Sequence, residues 1–332
     1  AATASSLLVA LYTLSEFGAI ALLRFDTFTR AIYNAYRGSF DRTSAAALAL
    51  VLVLLTLIVI YFERRYRGDR WQAPTSRGRK RRIELGGARV AAIFGLSLLG
   101  LAGAGVPIAS LIGWSFNQVS FDLLRLGELV ASSLLVALAA GIVIGVFALA
   151  ISIWNLRFSS RVSSAVDLTA WAAHALPAVV VALALVFFGA NLVPAIYQTI
   201  WLLLLAYLIL FLPNALGLVG TPIAQVPRSI EEVARSQGLS KNAALRKVVL
   251  PIAAPGILAG VALAALTVLK ELPATLLLRP NDLDTLATEL WQATEVLAYS
   301  QAAPYALALI IIAGVPALVL NAQARKLISE VS

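Results

Sequence analysis

Five charged residues lie within or beside long apolar stretches, where a charge needs a physical reason. Glu16 and Glu271 fall inside such stretches, Lys270 precedes Glu271, and Arg24 and Arg279 follow the two glutamates at the same spacing. A charge at the middle of a bilayer costs about 3 kcal/mol on insertion scales and usually faces a bundle interior or water. These five residues are therefore our candidates for a polar translocation pathway between apolar helices.

Two interpretations of these charges remain open. In the first, the two glutamates form a transient polar station for a hard cation, because carboxylate oxygen suits hard ions and the chain has no Cys or Met to supply sulfur. In the second, the glutamates and Lys270 form a structural ion-pair network between two halves of the chain. Lys270 would then pair with a carboxylate other than Glu271, because neighbouring residues on a helix point apart.

The sequence offers no set of residues for a stable metal site or for catalysis. His174 is the only histidine, and a lone histidine cannot make a metal site, so we expect it to pack or to form a hydrogen bond. There is no serine, histidine and aspartate set and no clustered histidine pair on a helix. We therefore predict no catalytic residue and no stably bound metal.

Transmembrane helices are the elements that must position the charges. Only 13% of the 332 residues are charged and 60% are hydrophobic, whereas soluble domains are about 25% charged. A helix needs about 20 apolar residues to cross a bilayer. We predict an all-α polytopic membrane protein with about eight transmembrane helices, at 1–23, 43–62, 90–113, 128–153, 171–190, 199–219, 252–278 and 304–324.

The basic residues predict which side of the membrane each loop occupies. The loops 63–89, 154–170 and 220–251 and the tail 325–332 hold 19 Lys and Arg residues, whereas the loops on the other side hold 6. Because positive charge accumulates in cytoplasmic loops, the first side is predicted to be cytoplasmic, with both termini inside. The basic run 77–82 is then a topology anchor beside the lipid bilayer, and we expect no nucleic-acid partner.

Two parts of the chain resemble each other. The stretch 16–24 aligns with 271–279 at an offset of 255, with five of nine positions identical. After a three-residue insertion Asp26 aligns with Asp284, and Tyr33 aligns with Trp291. Both copies run in the same direction through the predicted membrane, so a parallel duplication is indicated. Chance similarity between apolar helices is the alternative.

The duplication predicts a domain organisation. Residues 1–62 would be the last two helices of a first repeat, 63–89 a basic cytoplasmic linker, and 90–332 a complete second repeat of six helices. By the offset, the first repeat would begin before Ala1, so we expect the natural protein to be longer and to carry a second copy of the cytoplasmic loop 220–251.

That loop has the pattern of two short helices joined by a turn. Ser229 can cap a first helix that has acidic residues in its first turn, and Gly238 can end it. Ser240 can cap a second helix that ends near Lys247, before Pro251 begins the next span. The expected apolar contacts are Ile230, Val233, Ala234 and Leu245.

The spacing of this loop resembles the EAA loop of ABC importer permeases that work with a periplasmic binding protein. The family pattern is Glu-Ala-Ala, three residues, Gly, nine residues and Ile-x-Leu-Pro. Here the same spacing holds 232–234, then Gly238, then 248–251, with Val233 in place of Ala and Val248 in place of Ile. The resemblance implies a coupling helix that inserts into an ATPase. The coupling residues it marks are Glu231, Glu232, Ala234, Gly238, Leu250 and Pro251.

Other stretches resemble one branch of the same family. The stretch 176–185 resembles the family's third helix, whereas 270–280 and 14–20 look like the ferric-iron permeases, with thiamine permeases as near relatives. The resemblance implies a multi-pass permease subunit of the bacterial inner membrane, for ferric iron or alternatively for thiamine or another small solute. It also implies two partners, a cytoplasmic ABC ATPase dimer and a periplasmic substrate-binding protein.

The chain itself lacks a phosphate-binding glycine loop of the Walker type. We therefore expect it to bind no cofactor and to be a transport subunit rather than an enzyme, with ATP and Mg on the partner ATPase. Two other classes of function are alternatives. A secondary transporter driven by an ion gradient would account for the intramembrane charges but not for the spacing of the loop, and a membrane-embedded enzyme lacks a catalytic set.

Overall fold

The computed structural model describes residues 2–38, 42–67, 86–116, 122–157 and 176–330, and every regular element in these ranges is a helix. Fifteen α-helices are described: α1 Ala2–Ser15, α2 Gly18–Leu22, α3 Phe28–Arg37, α4 Arg42–Arg67, α5 Arg89–Gly100, α6 Val106–Phe116, α7 Leu123–Arg157, α8 Ala178–Asn191, α9 Ile200–Ala224, α10 Arg228–Ser236, α11 Lys241–Ala244, α12 Leu250–Leu269, α13 Pro273–Leu278, α14 Leu286–Glu295 and α15 Tyr299–Glu330. His174 and the basic run 77–82 lie outside the described residues.

Long apolar helices confirm the polytopic membrane class. Within the described ranges, six are long and apolar enough to cross a bilayer: Arg42–Phe62, Gly86–Phe116, Leu123–Leu156, Ile200–Ala224, Lys241–Leu269 and Tyr299–Leu318. The shorter apolar helix α8 occupies the described part of the span expected at 171–190. The first expected span, 1–23, is divided between α1 and α2.

Two of the predicted continuous spans are interrupted. The span expected at 252–278 ends as α12 at Leu269, and the chain resumes as α13 at Pro273. The span expected at 1–23 is interrupted at the corresponding place, between Ser15 and Gly18. In both breaks a glutamate follows the last helical turn closely, and its side chain bonds to the start of the next helix. The prediction of unbroken helices was therefore wrong at both positions.

Glycines let the three central helices α7, α9 and α12 approach closely. A Cβ added at Gly260 of α12 would lie 2.9 Å from the backbone oxygen of Leu218 in α9. At Gly145 of α7 it would lie 2.5 Å from a methyl group of Val261 in α12, and at Gly220 of α9 it would meet α7. Each helix thus offers a glycine to another of the three, as is typical of membrane helices, whose association depends on close packing.

The other helices surround this core. Buried side chains of α7, α9 and α12 form one large apolar cluster, which α8 and α13 join. By contrast, no residue of α5 or α6 is buried. Their outward side chains are large and apolar, as expected for a surface in contact with lipid. On the inner side of α6, Trp114 stacks on Tyr299 of α15 with ring centroids 5.3 Å apart.

The glycine contacts give a direct test of this packing. Replacing Gly260 with Ala places a methyl group against the Leu218 backbone, which cannot move without separating α9 from α12. We expect the free energy of unfolding to fall by about 1–3 kcal/mol, as for other overpacked interfaces. The matched control is Gly217→Ala on α9, where an added Cβ meets nothing within 4 Å. Thermal unfolding in detergent measures both, and equal melting temperatures would contradict the proposed packing.

Candidate functional site

The predicted cytoplasmic loop folds as a helix, a tight turn and a second helix. Gly238 has φ +92, a backbone conformation that L side chains rarely adopt, and the Leu239 N–H donates to the Ala234 carbonyl at 3.3 Å. The predicted helix end at Gly238 is confirmed. The predicted start is not, because α10 begins at Arg228 and Ser229 lies inside it. Pro227, with its fixed φ of −59, occupies the cap position, so the helix starts two residues earlier than a cap at Ser229 would place it.

The second helix of the loop continues into the membrane. Ser240 accepts a hydrogen bond from the Ala243 N–H at 3.3 Å, so the predicted cap is confirmed. The helix does not end near Lys247, however, but passes through a wider turn, Leu245–Val249, into α12. Pro251 has no N–H to donate and its ring crowds the carbonyl four residues back, so a widened turn is a way for the helix to continue past it.

One face of α10 is buried against the protein and the other is free. Ala234 is buried, and the adjoining turn contributes buried Val249 to a small apolar cluster with Ile223. Val233, which the sequence pattern placed among the buried contacts, is instead 56% exposed. Neighbouring residues of an α-helix point about 100° apart, so with Ala234 facing inward, Val233 points away together with the exposed Glu232.

A cleft of about 370 Å³ lies beside α10. The ends of α7 and α9 form its apolar side, and Glu231, Glu232, Arg235 and Lys241 bring both signs of charge to its edge. The remaining predicted coupling residues lie nearby in the chain: Gly238 forms the exposed turn, Leu250 is partly buried and Pro251 is exposed at the start of α12. An exposed valine beside charges and a cleft can receive a complementary protein surface.

Glu271 occupies the break between α12 and α13 and is buried. Its carboxylate accepts from the Ala274 N–H at 3.0 Å, from the Thr275 N–H at 3.1 Å and from the Thr275 hydroxyl at 2.9 Å. The hydroxyls of Thr275 and Tyr207 also lie 2.8 Å apart. Since a helix start leaves N–H groups without partners, the buried carboxylate acts as the cap of α13.

Glu16 makes the same bond at the other break. One of its carboxylate oxygens accepts from the Ala19 N–H at 3.2 Å, at the start of α2. Ala19 precedes Ala274 by the same 255 positions that separate Glu16 from Glu271. Glu16 is partly exposed, and a Cβ at Gly18 would lie 3.8 Å from its carboxylate and 3.9 Å from Leu272, so the two short helices lie side by side.

An aromatic cluster joins the two parts of the chain. Phe17, Tyr33 and Trp291 contact one another, with ring centroids 5.2–5.7 Å apart. Phe17 aligns with Leu272, and Tyr33 aligns with Trp291, so residues at matching positions of the two similar stretches pack in one core. The buried members of the cluster are Phe17, Ala21, Tyr33, Leu272, Leu276, Ala287 and Trp291.

The three cations of the predicted pathway are placed differently. Lys270 is exposed beside the break, and no ion pair of its side chain is recorded among the described residues. Arg24 has φ 56 and donates to the Glu295 carbonyl at 3.0 Å, at the end of α14. Arg279 donates to the Leu283 carbonyl at 2.6 Å and to Asp284. None of the three contacts either glutamate within the described part of the chain.

A polar cluster that the sequence pattern did not reveal holds the segment after α13 against α7. Arg125 of α7 donates to Asp284 at 2.6 Å and to Glu289 at 2.8 Å, and Arg279 donates to Asp284 from the other side. We call these four residues the Asp284 clamp. Ser132 adds a hydrogen bond to the Asp284 carbonyl at 2.5 Å. The sequence comparison of the two similar stretches had singled out Arg279 and Asp284, but not Arg125 or Glu289.

The clamp sets the charge of Asp284. Partial burial raises the pKa of its carboxyl, but the hydrogen bonds and charges of Arg279 and Arg125 lower it more, so the pKa lies below its ordinary value. Among the described residues, no group of three His, Cys, Asp or Glu side chains is placed to hold a metal ion.

More than half of the chain matches a known protein family. Residues 141–331 match the family model described as the binding-protein-dependent transport system inner membrane component. The chain belongs to this family. The matched region contains α10 and the turn after it, the break between α12 and α13, and the glycines at which the three central helices meet. The chain is therefore a membrane permease with several apolar spans.

Individual relatives carry more specific names. The permease is 32% identical over 330 residues to the Fe(3+)-transport system permease protein FbpB 2 of Haemophilus influenzae, covering 97% of this chain and 65% of that protein. It is 26% identical over 167 residues to the "Putative 2-aminoethylphosphonate transport system permease protein PhnV" of Salmonella typhimurium, covering 49% of this chain and 63% of that one. The permease thus spans less than two thirds of the length of these relatives.

The hydrogen bonds at the α13 cap predict a graded effect on stability. Thr275→Val removes the hydroxyl that bonds to Glu271 and Tyr207 and leaves buried polar atoms without partners, which costs about 1–3 kcal/mol. Tyr207→Phe removes only the outer hydroxyl and should cost about 1 kcal/mol. Thermal unfolding of the purified chain measures both. Equal losses, or a larger loss for Tyr207→Phe, would contradict the cap.

The Asp284 clamp predicts a dependence of stability on pH. Because the pKa of Asp284 is lowered in the folded protein, the clamp contributes stability above the ordinary carboxyl pKa of about 4. That contribution is lost as pH falls through the lowered folded pKa. Asp284→Asn should lower the melting temperature by a few degrees at pH 7, with the difference from wild type shrinking below pH 4. A difference that stays constant with pH would contradict the ionic role.

Proposed function

We propose that this chain is the membrane-spanning subunit of an ATP-driven importer and that a separate ATPase docks on α10. The observation that carries this proposal is the exposed pair Glu232 and Val233 on a short helix whose other face is anchored by buried Ala234. A short amphipathic helix held on a rigid scaffold with a free valine suits a partner groove. Family membership supports the same role.

A continuous helix supports coupling over distance. Residues Lys241–Leu269 form one helical segment that ends at the break beside Glu271. The segment begins in the loop 220–251, which contains α10 and which we call the docking loop. At 1.5 Å per residue, its 29 residues span roughly 43 Å, more than the thickness of the hydrocarbon core. Movement of α10 by an ATPase would be transmitted along this segment, and alternating access would follow as the central helices shift.

The two glutamates support different roles in the pathway. The Glu271 carboxylate is occupied by three donors of α13, so it serves first to hold the break. Glu16 has one recorded donor and is partly exposed, which leaves lone pairs for a passing solute. We place Glu16 as the better candidate for substrate contact and Glu271 as a positioning residue, with Lys270, Arg24 and Arg279 near the ends of the path.

Ferric iron is the substrate we propose first, because the FbpB 2 relative carries that name and aligns along nearly the whole chain. Thiamine, a phosphonate or another small solute is the alternative, and the PhnV relatives favour the phosphonate. A periplasmic binding protein would deliver the substrate. An ion-gradient transporter remains the competing class, but it does not require the exposed docking helix.

The complete transporter is proposed to contain two similar halves. The matching caps at Glu16 and Glu271 and the shared aromatic cluster support residues 1–62 as the end of a first repeat and 90–332 as a second. The linker 63–89 and both termini would be cytoplasmic, as the distribution of basic residues indicates.

The docking proposal is tested by co-purification. Val233→Asp places a charge on the exposed face of α10 without disturbing a buried contact, so the permease should fold normally but lose its ATPase partner at least tenfold. The matched control is Val296→Asp, another exposed valine at the end of α14. If the Val233→Asp permease retains the ATPase as well as the control does, α10 is not the docking helix.

The pathway proposal is tested by uptake in vesicles that contain the complete transporter. Glu16→Gln removes the charge of the glutamate that has fewer hydrogen-bond donors. We expect uptake to fall by at least about tenfold while ATP turnover and thermal stability persist. Glu271→Gln puts an NH₂ group among helix donors, so both stability and uptake should fall. Unchanged uptake by Glu16→Gln would contradict its contact with the substrate.

A further inference from the structure

A second cavity lies between the two parts of the chain, away from the docking loop. It has a volume of about 360 Å³, near the lower end of the roughly 300–1,000 Å³ of small-molecule sites. The end of α3, the start of α4, the turn before α9 and the segment after α13 all contribute to it. The predicted outer loops therefore meet here.

The lining of this cavity is strongly basic. Arg37, Arg42 and Arg279 contribute three guanidinium groups, and no Asp or Glu is among the lining residues that the structure describes. Arg279 is partly neutralised by Asp284, but Arg37 and Arg42 have no recorded ion pair within the described ranges. Such a cavity repels a bare cation and attracts an anion.

Neutral hydrogen-bonding groups complete the lining. Tyr36 and Tyr197 face the cavity and interact with each other, and burial and this contact raise the pKa of Tyr36, so its phenol stays protonated. Gln198 has φ 55, a left-handed backbone that is uncommon outside glycine, and its side chain lies 3.5 Å from that of Asn281. Strained residues of this kind cluster at ligand sites.

We propose that this cavity, which we call the arginine cavity, binds a small soluble oxyanion such as a phosphonate, a phosphate or a carboxylate. Planar guanidinium groups suit oxyanions because two N–H groups can bond to two oxygens at once. The proposal deepens the proposed function and rests on it for its meaning in transport. The solute presented to this permease would be an anion or a cation masked by anionic ligands, not a bare ferric ion.

The direct test is binding of radiolabelled inorganic phosphate to the purified full-length chain in neutral, lipid-free detergent. We expect saturable binding that weakens as salt is added. The double variant Arg37→Gln/Arg42→Gln should lower the affinity by about tenfold or more, since each charge-assisted hydrogen bond is strong. Arg37→Lys/Arg42→Lys keeps both charges but loses the two-pronged geometry, so its affinity should lie between those of the wild type and the glutamine variant. Arg89→Gln, an exposed arginine outside the cavity, should change nothing.

A second arm separates a soluble anion from a lipid headgroup. Phosphatidylglycerol is added to the detergent, and soluble phosphate should still bind to the wild type with at least about tenfold higher affinity than to the double glutamine variant. The inference is overturned if phosphate does not bind, if the glutamine variant binds as well as wild type, or if only the lipid binds. Because the assay needs no ATPase, these outcomes are independent of the docking of α10, so the failure of one proposal can be distinguished from that of the other.

Discussion

A helix that breaks inside a membrane exposes backbone N–H groups that have no water to bond to, and each must find an acceptor within the protein. At the break between α12 and α13 that acceptor is the buried carboxylate of Glu271, which takes three hydrogen bonds from Ala274 and Thr275. Without it, α13 would lose its start. The start of α13, and through it the place from which the following segment leaves the helix, depends on this side chain.

The break lies between the proposed docking loop on one side and the aromatic cluster, the Asp284 clamp and the arginine cavity on the other. Below it, the helical segment Lys241–Leu269 continues into the docking loop. Above it, α13 carries Leu276 into the aromatic cluster and Arg279 into both the Asp284 clamp and the arginine cavity. The glycine contacts of α7, α9 and α12 keep the helices close enough to move as a unit. A displacement at α10 therefore has a physical route to the cavity.

The sequence predicted the helices well and their interruptions poorly. The length of the apolar stretches was enough to predict the long helices. The turn after α10 was predictable because glycine readily adopts the positive φ of Gly238 and serine is a common helix cap, as at Ser240. Proline did not mark the breaks, because Pro213, Pro255 and Pro304 lie inside continuous helices. The chain can break before Pro273 because the carboxylate of Glu271, two residues earlier, accepts the N–H groups at the start of α13 that have no helical acceptor. This role of Glu271 follows from the position of its carboxylate in the structure and not from the sequence.

Contacts between residues far apart in the chain were the other feature that the sequence did not predict. Arg125 meets Asp284 across 159 positions, and nothing in the local sequence of either residue specifies the other. The sequence indicated both Val233 and Ala234 as apolar contacts, but only Ala234 is buried, because which of two neighbouring residues faces the protein depends on the tertiary placement of α10. The alignment of Glu16 with Glu271 was visible in the sequence and predicted equivalent positions, but it did not reveal that each carboxylate caps the helix that follows it.

The most direct test of the central claim is the energy source for uptake by membrane vesicles that hold the complete transporter. Uptake of the substrate is compared after ATP is depleted with the proton gradient intact, and after an uncoupler is added with ATP intact. An ATP-coupled permease predicts that uptake stops in the first condition and persists in the second. Uptake that survives ATP depletion and collapses with the uncoupler would contradict the account.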